Sequence, residues 1–347
     1  MAAKKASFAQ RLITWQRTHG RHDLPWQGAD VYRVWLSEIM LQQTQVITVI
    51  PYYQSFVATF PTIAALAAAT EEQVLAHWSG LGYYARGRNL HRAAQLIAEK
   101  HRGEFPQVFD DIIALPGIGR STAAAICALA FHQHHAILDG NVKRVLARYY
   151  GIVGWTGDKK VEAQLWQQAE ILLPKRDVAI YIQAQMDMGA TLCTRSKPKC
   201  SECPVQADCI AYQSNRVEEL PTSRPRKVIH ESNAALLMIM SGRNILLEKR
   251  PPQGIWGGLW CLPQLDDGNG VVTDYVQQNG MVVNERIELA ELTHTFTHFK
   301  LHITPVLLRV EKKPLRVKEA GSMWLEVGEA LNAAIPTPVR FLLKQLR

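Results

Sequence analysis

Four of the six cysteines, Cys193, Cys200, Cys203 and Cys209, fall within one 17-residue stretch in the spacing C-x6-C-x2-C-x5-C. In a chain otherwise poor in cysteine, such clustering signals a metal site rather than a disulfide framework. Zinc sites commonly carry two C-x2-C pairs, and only one is present here. A compact loop offering four thiolates also suits a 4Fe–4S cluster. Arg195, Lys197 and Lys199 lie in the same loop, where they suit a phosphate contact. Cys127 and Cys261 stand apart and read as buried thiols.

Residues 111–141, DIIALPGIGRSTAAAICALAFHQHHAILDGN, are the second constraint. The apolar run Ile112, Ile113 and Leu115 leads into Pro116, Gly117, Ile118 and Gly119, and an Ala-rich helix is expected over Ser121–Phe131. Two glycines around one apolar residue suit a hairpin between helices, because glycine tolerates positive φ and lets a backbone approach a ligand closely. The second helix starts just past Gly119, so its free N–H groups and positive dipole end face outward as an anion site. Such a turn grips a DNA phosphate without reading sequence. Taken alone, LPGIGRS equally suits an ordinary helical hairpin in a core.

Upstream, Ser7–Thr18 reads as a short helix with Phe8, Leu12 and Trp15 on one side, broken by HDLPW (22–26). Asp30 is an expected N-cap for a helix running from Val31 to Pro51. Val31, Val34 and Trp35 form an i, i+3, i+4 apolar stripe whose i+7 position is Glu38. A carboxylate on a face that should be buried has a raised pKa, as a general acid near neutral pH requires; an interior Glu paired with an Arg is the bland alternative. Gln42 and Gln43 follow, able to hydrogen-bond base edges or simply to face solvent.

Ala-rich 62–69 and Val74, Leu75 and Trp78 continue the helical pattern, interrupted by GLGYYARGRNL (80–90). Its tyrosines and arginines, Tyr83 and Arg86 among them, suit stacking on bases and pairing with phosphate, or a structural turn. Asp139 precedes a helix marked by Val142, Val145, Leu146 and Tyr149. Capping is its minimal role, and a cap can also serve as a fixed catalytic carboxylate. Further helices span 155–192, with Trp166, Ile171, Tyr181 and Met186 expected in the core. The segment 216–226, with two prolines, reads as a linker. Beyond it the period changes: AALLMIM (234–240), SGRN and ILLEKR form a β-hairpin pattern, LHITPVLLRV (301–310) is strand-like, and two late helices follow.

Net charge is +8, of which +6 (26 Lys+Arg against 20 Asp+Glu) precedes Asn233 and +2 (13 against 11) follows. That balance points to a polyanionic partner. No apolar run reaches the ~18 residues of a membrane span, and MAAKKASFAQR lacks the core of a signal peptide. A reducing cytosol is the expected setting.

Together, VWLSEIMLQQTQV, GLGYYARGRNLH, LPGIGRSTA, LDGNVKRVLAR, the four-cysteine loop and HTFTHF (294–299) resemble the adenine DNA glycosylases of the MutY family, within the endonuclease III-like helix-hairpin-helix superfamily. The likeness covers nearly the whole chain. It implies an all-α helix-hairpin-helix glycosylase core with an Fe–S loop, plus an α+β Nudix-like C-terminal domain. The implied boundaries are 1–218 for the helical region (about 31–133 a six-helix domain, 1–30 with 134–218 a cluster domain), a linker at 219–231, and 232–347 for the Nudix-like part.

The resemblance further implies excision of adenine mispaired with 8-oxoguanine or guanine, after the base is flipped out of the duplex. Glu38 is implied to protonate adenine N7, Asp139 to stabilise the oxocarbenium-like sugar, and Asn141 to position water or Asp139, in the two-carboxylate logic of glycoside cleavage. Different settings could push the two carboxyl pKa values apart. Trp26 and Gln183 fall at adenine-pocket positions. Gln43, Leu81 and Tyr83 match residues that wedge the duplex, and Gln42, Arg86, Gly117, Gly119, Ser121 and Lys143 complete the expected DNA contacts. Cys193, Cys200, Cys203 and Cys209 are implied ligands of a 4Fe–4S cluster.

Ser121 stands where bifunctional relatives carry a Schiff-base lysine, which implies a monofunctional enzyme; Lys143 could trap the abasic sugar only off-path. Phe296, Thr297 and His298 match a Phe-Ser-His loop that reads 8-oxoguanine. After residue 232 no REUxEExGU cluster exists to hold the metal of a Nudix hydrolase, so nucleotide hydrolysis is not expected. Implied partners are mispaired duplex DNA and, by analogy, abasic-site endonucleases or mismatch-repair proteins, with the chain itself a monomer and no membrane involved. The competing readings are an endonuclease III-type lyase for oxidised pyrimidines and a non-catalytic DNA-binding module.

Overall fold

Asp30 caps its helix as expected: its carboxylate accepts from the Arg33 N–H at 3.0 Å. In the computed structural model, which describes residues 6–225, 229–266, 271–296, 299–311 and 321–346, the helices in chain order are α1 (Phe8–His19), α2 (Val31–Met40), α3 (Val46–Thr59), α4 (Ile63–Ala68), α5 (Glu71–Trp78), α6 (Ala85–Lys100), α7 (Phe109–Ile113), α8 (Arg120–Phe131), α9 (Gly140–Tyr149), α10 (Lys159–Leu172), α11 (Val178–Thr191), α12 (Ile210–Gln213), α13 (Val271–Gln278), α14 (Val327–Ala330) and α15 (Thr337–Lys344). The strands are β1 (His230–Ser241), β2 (Asn244–Lys249), β3 (Trp260–Cys261), β4 (Gln264–Asp266), β5 (Val283–Glu288), β6 (Leu292–Thr295), β7 (Phe299–Val310) and β8 (Ser322–Glu326).

The helix expected from Val31 to Pro51 is two helices. It stops at Met40, and Gln43 takes a left-handed conformation (φ 57°) that no α-helix can continue through. The chain restarts at Val46 and carries Pro51 inside α3. Likewise the GLGYYARGRNL interruption is shorter than expected, because α6 begins at Ala85 and carries both arginines.

Residues 1–67 and 92–226 form one compact unit, and residues 68–91 join 227–347 in a second. The first is helical. Phe8, Leu12 and Trp15 of α1 meet Ala124, Ala125 and Ala128 of α8, Val142 and Leu146 of α9, Leu165 of α10, and Tyr181 and Ile182 of α11 in one buried cluster. The small side chains of α8 give it a thin face on the cluster. Ile171, expected in the core, is instead 66 % exposed, because its position on α10 turns away from the Leu165–Ala169 face.

The second unit is built on a mixed eight-stranded sheet in the order β3-β2-β1-β7-β5, with β4 on β1, β6 on β7 and β8 on β2. β1 and β7 run parallel (Leu237 opposite Val306), while β1 and β2 form the expected hairpin, Ser241 opposite Asn244. Alternation sorts the strands' side chains between two cores. Leu236, Met238 and Met240 join Val339 and Leu342 of α15, whereas Leu237 and Ile239 join Val272 of α13.

The segment 68–91 belongs here through specific contacts. Leu75 enters the sheet's core, Trp260 Nε1 donates to Glu72 (2.5 Å), Ser79 Oγ donates to the Ile335 carbonyl (2.6 Å), and Arg88 donates to the Gly257 carbonyl (2.6 Å). The helical region therefore does not form one unit up to residue 218; α5 and the loop after it pack on the sheet.

Candidate active site

Glu38 lies on α2 and Asp139 caps α9. Both residues are partly accessible, yet burial is the largest influence on both carboxyls. Burial, with a smaller contribution from the charge of Asp139, pushes Glu38 up to about 7. Burial also raises Asp139, but here it is opposed by the Val142 N–H, Arg144, the Asn141 N–H and Lys143, all of which favour the ionised form. The Val142 N–H bond is 2.8 Å. One carboxyl is thus held protonated near neutral pH by a dry setting, while the other is supplied with donors and positive charge.

The neighbours of Asp139 are fixed in turn. Ser121 Oγ accepts from the Leu138 N–H (3.0 Å), which anchors the residue just before Asp139. Arg144 Nη2 donates to Asn141 Oδ1 (2.9 Å) and to the Gly189 carbonyl (2.6 Å). Gly189 is required there: an added Cβ would lie 2.5 Å from Asn141 Cβ. Lys143 is drawn to Glu162 at 2.6 Å.

The four clustered cysteines form no disulfide and line one small cavity together with Arg148, Leu192 and Tyr212. Among the described residues no three Cys, His, Asp or Glu side chains are gathered to hold a single ion. The surroundings fit a cluster. Arg148, 3 % exposed, donates to the carbonyls of Thr194 (2.6 Å), Arg195 (3.2 Å) and Leu220 (2.7 Å), with Nη1 3.4 Å from Cys193 Sγ. Arg144 Nε donates to the Cys193 carbonyl at 2.7 Å. Two arginines one turn apart on α9 therefore place fixed positive charge beside the thiolates a cluster needs, and tie that loop to the helix Asp139 caps.

Residues 36–170 match the HhH-GPD superfamily of base excision DNA repair proteins, 193–209 the iron-sulfur binding domain of endonuclease III, and 234–345 a NUDIX domain. The adenine DNA glycosylase of Buchnera aphidicola subsp. Acyrthosiphon pisum is 39 % identical over 345 residues, covering 99 % of this chain and 98 % of that protein. The chain belongs to the adenine DNA glycosylase family. The human adenine DNA glycosylase is 33 % identical over 402 residues, covering 97 % of this chain and 73 % of that one. A thermostable thymine-DNA glycosylase structure aligns with a TM-score of 0.54 at 27 % identity, covering 60 % of this chain and 95 % of its own. An endonuclease III–DNA complex shares the same helical fold (TM-score 0.52, 20 % identity, 60 % and 94 % covered).

As an adenine DNA glycosylase the chain is a hydrolase of N-glycosyl bonds acting in base excision repair, with an endonuclease III-type Fe–S loop at Cys193, Cys200, Cys203 and Cys209. The chain has a helix-hairpin-helix core and a Nudix-like C-terminal domain. Among the described residues no helix is long and apolar enough to cross a membrane.

The hairpin carries Gly117 at φ 80° and Gly119 as the N-cap of α8 with no side-chain cap, so the first N–H groups of α8 stay open. Gln42 is occupied: its Nε2 donates to the Gly117 carbonyl (3.3 Å) and Thr122 Oγ1 (3.4 Å), bracing the hairpin. Gln43 is exposed and left-handed. In the second unit Tyr83 is 48 % exposed, also at positive φ, whereas Leu81 is 5 % exposed and faces the interior.

Arg86 departs from expectation. It is buried between Trp78 and Tyr83 and donates to the carbonyls of Leu81 (3.3 Å) and Gly82 (3.1 Å). These bonds spend its guanidinium on shaping the loop rather than on phosphate. Phe296 stacks on Phe299 (4.4 Å) and lies edge-on to His294 (4.6 Å). Thr297 and His298 lie outside the described residues.

Trp26 is buried and edge-to-face with Tyr53 at 5.2 Å. Gln183 Nε2 donates to Asp187 (2.9 Å), a fully buried carboxylate that also binds Arg21 and Gln16. Sequence reasoning passed over Asp187, Arg144 and Arg148. The signal for Asp187 was its being the only charge in the otherwise uncharged VAIYIQAQMDMGAT. That for the arginines was their i, i+4 spacing behind Asp139.

Proposed function

We propose that the chain removes adenine paired with 8-oxoguanine or guanine in duplex DNA and leaves the strand intact. The observation that carries this is the pair of unlike carboxyls, Glu38 pushed up to about 7 and Asp139 supplied with donors and cations. Glu38 gives its proton to N7 of the flipped adenine, the C1′–N9 bond breaks, and adenine departs neutral. Asp139 stabilises the cationic sugar, and water adds to C1′ as its proton returns to the Glu38 carboxylate. Asn141, oriented through Arg144, holds Asp139 or the water. Cys193, Cys200, Cys203 and Cys209 would hold a 4Fe–4S cluster that would fix the shape of their own loop, while Arg144 and Arg148 tie that loop to α9; the residues of this chain perform every proton transfer.

Ser121, engaged with the Leu138 N–H, has no amine with which to form a Schiff base, which supports the monofunctional reading over a lyase. Trp26 and Gln183 line the adenine pocket. Gln43, Tyr83 and Leu81 act at the mispair, Leu81 only after leaving its buried position. Gly117, Gly119, Ser121, Gln42 and Lys143 form the phosphate side, the last after release from Glu162. Phe296, Thr297 and His298 read 8-oxoguanine. Residues 1–218, 219–231 and 232–347 are the catalytic region, linker and lesion reader, with α5 and its following loop packed on the reader. Abasic-site endonucleases and mismatch-repair proteins are the proposed partners, the bacterial nucleoid the site of action, and a monomer the working form.

The test is a labelled duplex with one A opposite 8-oxoguanine. Breaks on the adenine strand only after hot alkali are expected, and Glu38→Gln should bind the mispair without product. Breaks without alkali would overturn the monofunctional assignment, and normal turnover by Glu38→Gln the role of Glu38.

A further inference from the structure

Helix α10 carries Glu162, Trp166 and Glu170 at four-residue intervals, one stripe along one face. That stripe meets two cations from other helices. Glu162 pairs with Lys143 of α9 at 2.6 Å, and Glu170 with Arg120 of α8 at 2.5 Å. Trp166 lies beneath the second pair, with the Arg120 guanidinium 3.9 Å from the centre of its ring.

Both cations stand where helix electrostatics disfavours them. Arg120 opens α8 and Lys143 lies in the opening turn of α9, and neither helix has a carboxylate in its first turn. A positive charge there opposes the macrodipole, so these two residues do nothing for their own helices. The two helix starts are neighbours, because Ser121 Oγ accepts from the Leu138 N–H at 3.0 Å. Lys143 is tied to the reaction centre: its N–H donates to the Asp139 carbonyl at 2.9 Å, and its charge favours the ionised Asp139 carboxyl. A carboxylate that meets a sugar of duplex DNA brings the flanking phosphates to the same helix end, since the duplex carries one charge per ~1.7 Å of its axis.

We propose that Glu162 and Glu170 are resident anions that occupy Lys143 and Arg120 in the free protein, so that a backbone phosphate reaches either cation only by displacing a carboxylate. The partner is the duplex backbone, and Arg120 is a phosphate contact alongside Lys143. Phosphates carry no sequence information, so the two displacements lower affinity for every duplex by the same factor. Ordinary DNA, held through phosphates alone, is therefore released sooner. The proposal rests on the reading of Asp139 as the carboxylate that meets the sugar.

The test uses a fully matched duplex as the probe and measures its Kd at low salt with the full-length protein, Glu162→Gln and Glu170→Gln. Both glutamate side chains are partly exposed, at 38 % and 53 %, so an amide fits without disturbing the core. Each variant should bind about two- to fivefold tighter, the range of a partly screened ion pair. The same substitutions are then repeated in Lys143→Gln and Arg120→Gln respectively. With its cation gone, each glutamate should cease to matter, which is the coupling that a double-mutant cycle reads.

Unchanged affinity in Glu162→Gln and Glu170→Gln would overturn the proposal. So would equal tightening with and without the partner cation, because the glutamates would then act on DNA by charge at a distance and not by holding Lys143 and Arg120. Failure of the underlying reading shows separately: a parent protein that binds the A·8-oxoguanine duplex and yields no breaks after hot alkali would overturn the role of Asp139, and the proposal with it.

Discussion

Asp139 acts on Glu38 electrostatically: its charge adds to the larger effect of burial in pushing the Glu38 carboxyl from its ordinary 4.5 up to about 7. A raised pKa keeps the acid form populated to higher pH. A rate that needs protonated Glu38 should therefore be full below about 7 and fall by about tenfold for each further pH unit above it. Asp139, raised by burial above its ordinary 3.8, must stay ionised, so a second decline is expected on the acid side. Single-turnover excision across pH checks both limbs. A flat alkaline limb would remove Glu38 as the acid.

The same shift has a consequence for stability. An acid whose folded pKa lies above its unfolded one stabilises the fold only while protonated in both states; the contribution is lost as pH rises from 4.5 through about 7. Glu38→Gln removes that loss. The variant should gain on the parent by about 2 kcal/mol between about pH 5.5 and about pH 8, read as a growing difference in denaturation midpoint. A difference that shrinks with rising pH would contradict the raised pKa.

Arg148 holds three carbonyls of the cysteine loop and its flank from within the interior. Truncation to Ala strands those acceptors, at about 1–3 kcal/mol for each one that water cannot reach. Lys should rescue poorly, since one ammonium cannot reproduce the planar fork. The expected outcome is reduced iron content and a lower unfolding temperature in both variants. Full iron loading in Arg148→Ala would show that the loop holds its shape without the arginine.

Much of the site was legible because its signals are local. Glu38 is marked by its place on a four-residue stripe, Asp139 by its position before an apolar helix, the metal loop by spacing alone. What escaped was assembled across the chain. Arg21 and Asp187 are 166 residues apart, and neither has a periodic neighbour to announce the pair. Arg86 looked like a phosphate ligand because composition reports charge, not burial. The break at Gln43 was hidden by good helix formers on both sides, and the membership of 68–91 in the sheet unit rests on bonds such as Ser79 to Ile335, to which sequence period is blind.

Gly119 allows a separation of stability from binding. Its φ is −94° and an added Cβ would meet nothing within 4 Å, so a side chain fits without strain. Asp is a far better N-cap than an unbonded glycine where its carboxylate reaches the N2 or N3 N–H, and Gly119→Asp should stabilise α8 by a few tenths of a kcal/mol or more. The same carboxylate would fill the N–H groups left for a phosphate and place negative charge against DNA. Duplex affinity should then drop, and the slope of log binding constant against log salt should shrink by about 0.9, one phosphate contact. Measured together, a higher unfolding temperature with weaker, less salt-dependent binding is the expected result. Tighter capping with unchanged affinity and slope would mean that the hairpin does not grip the backbone, and the basic excess of the first two thirds of the chain would have to meet DNA elsewhere.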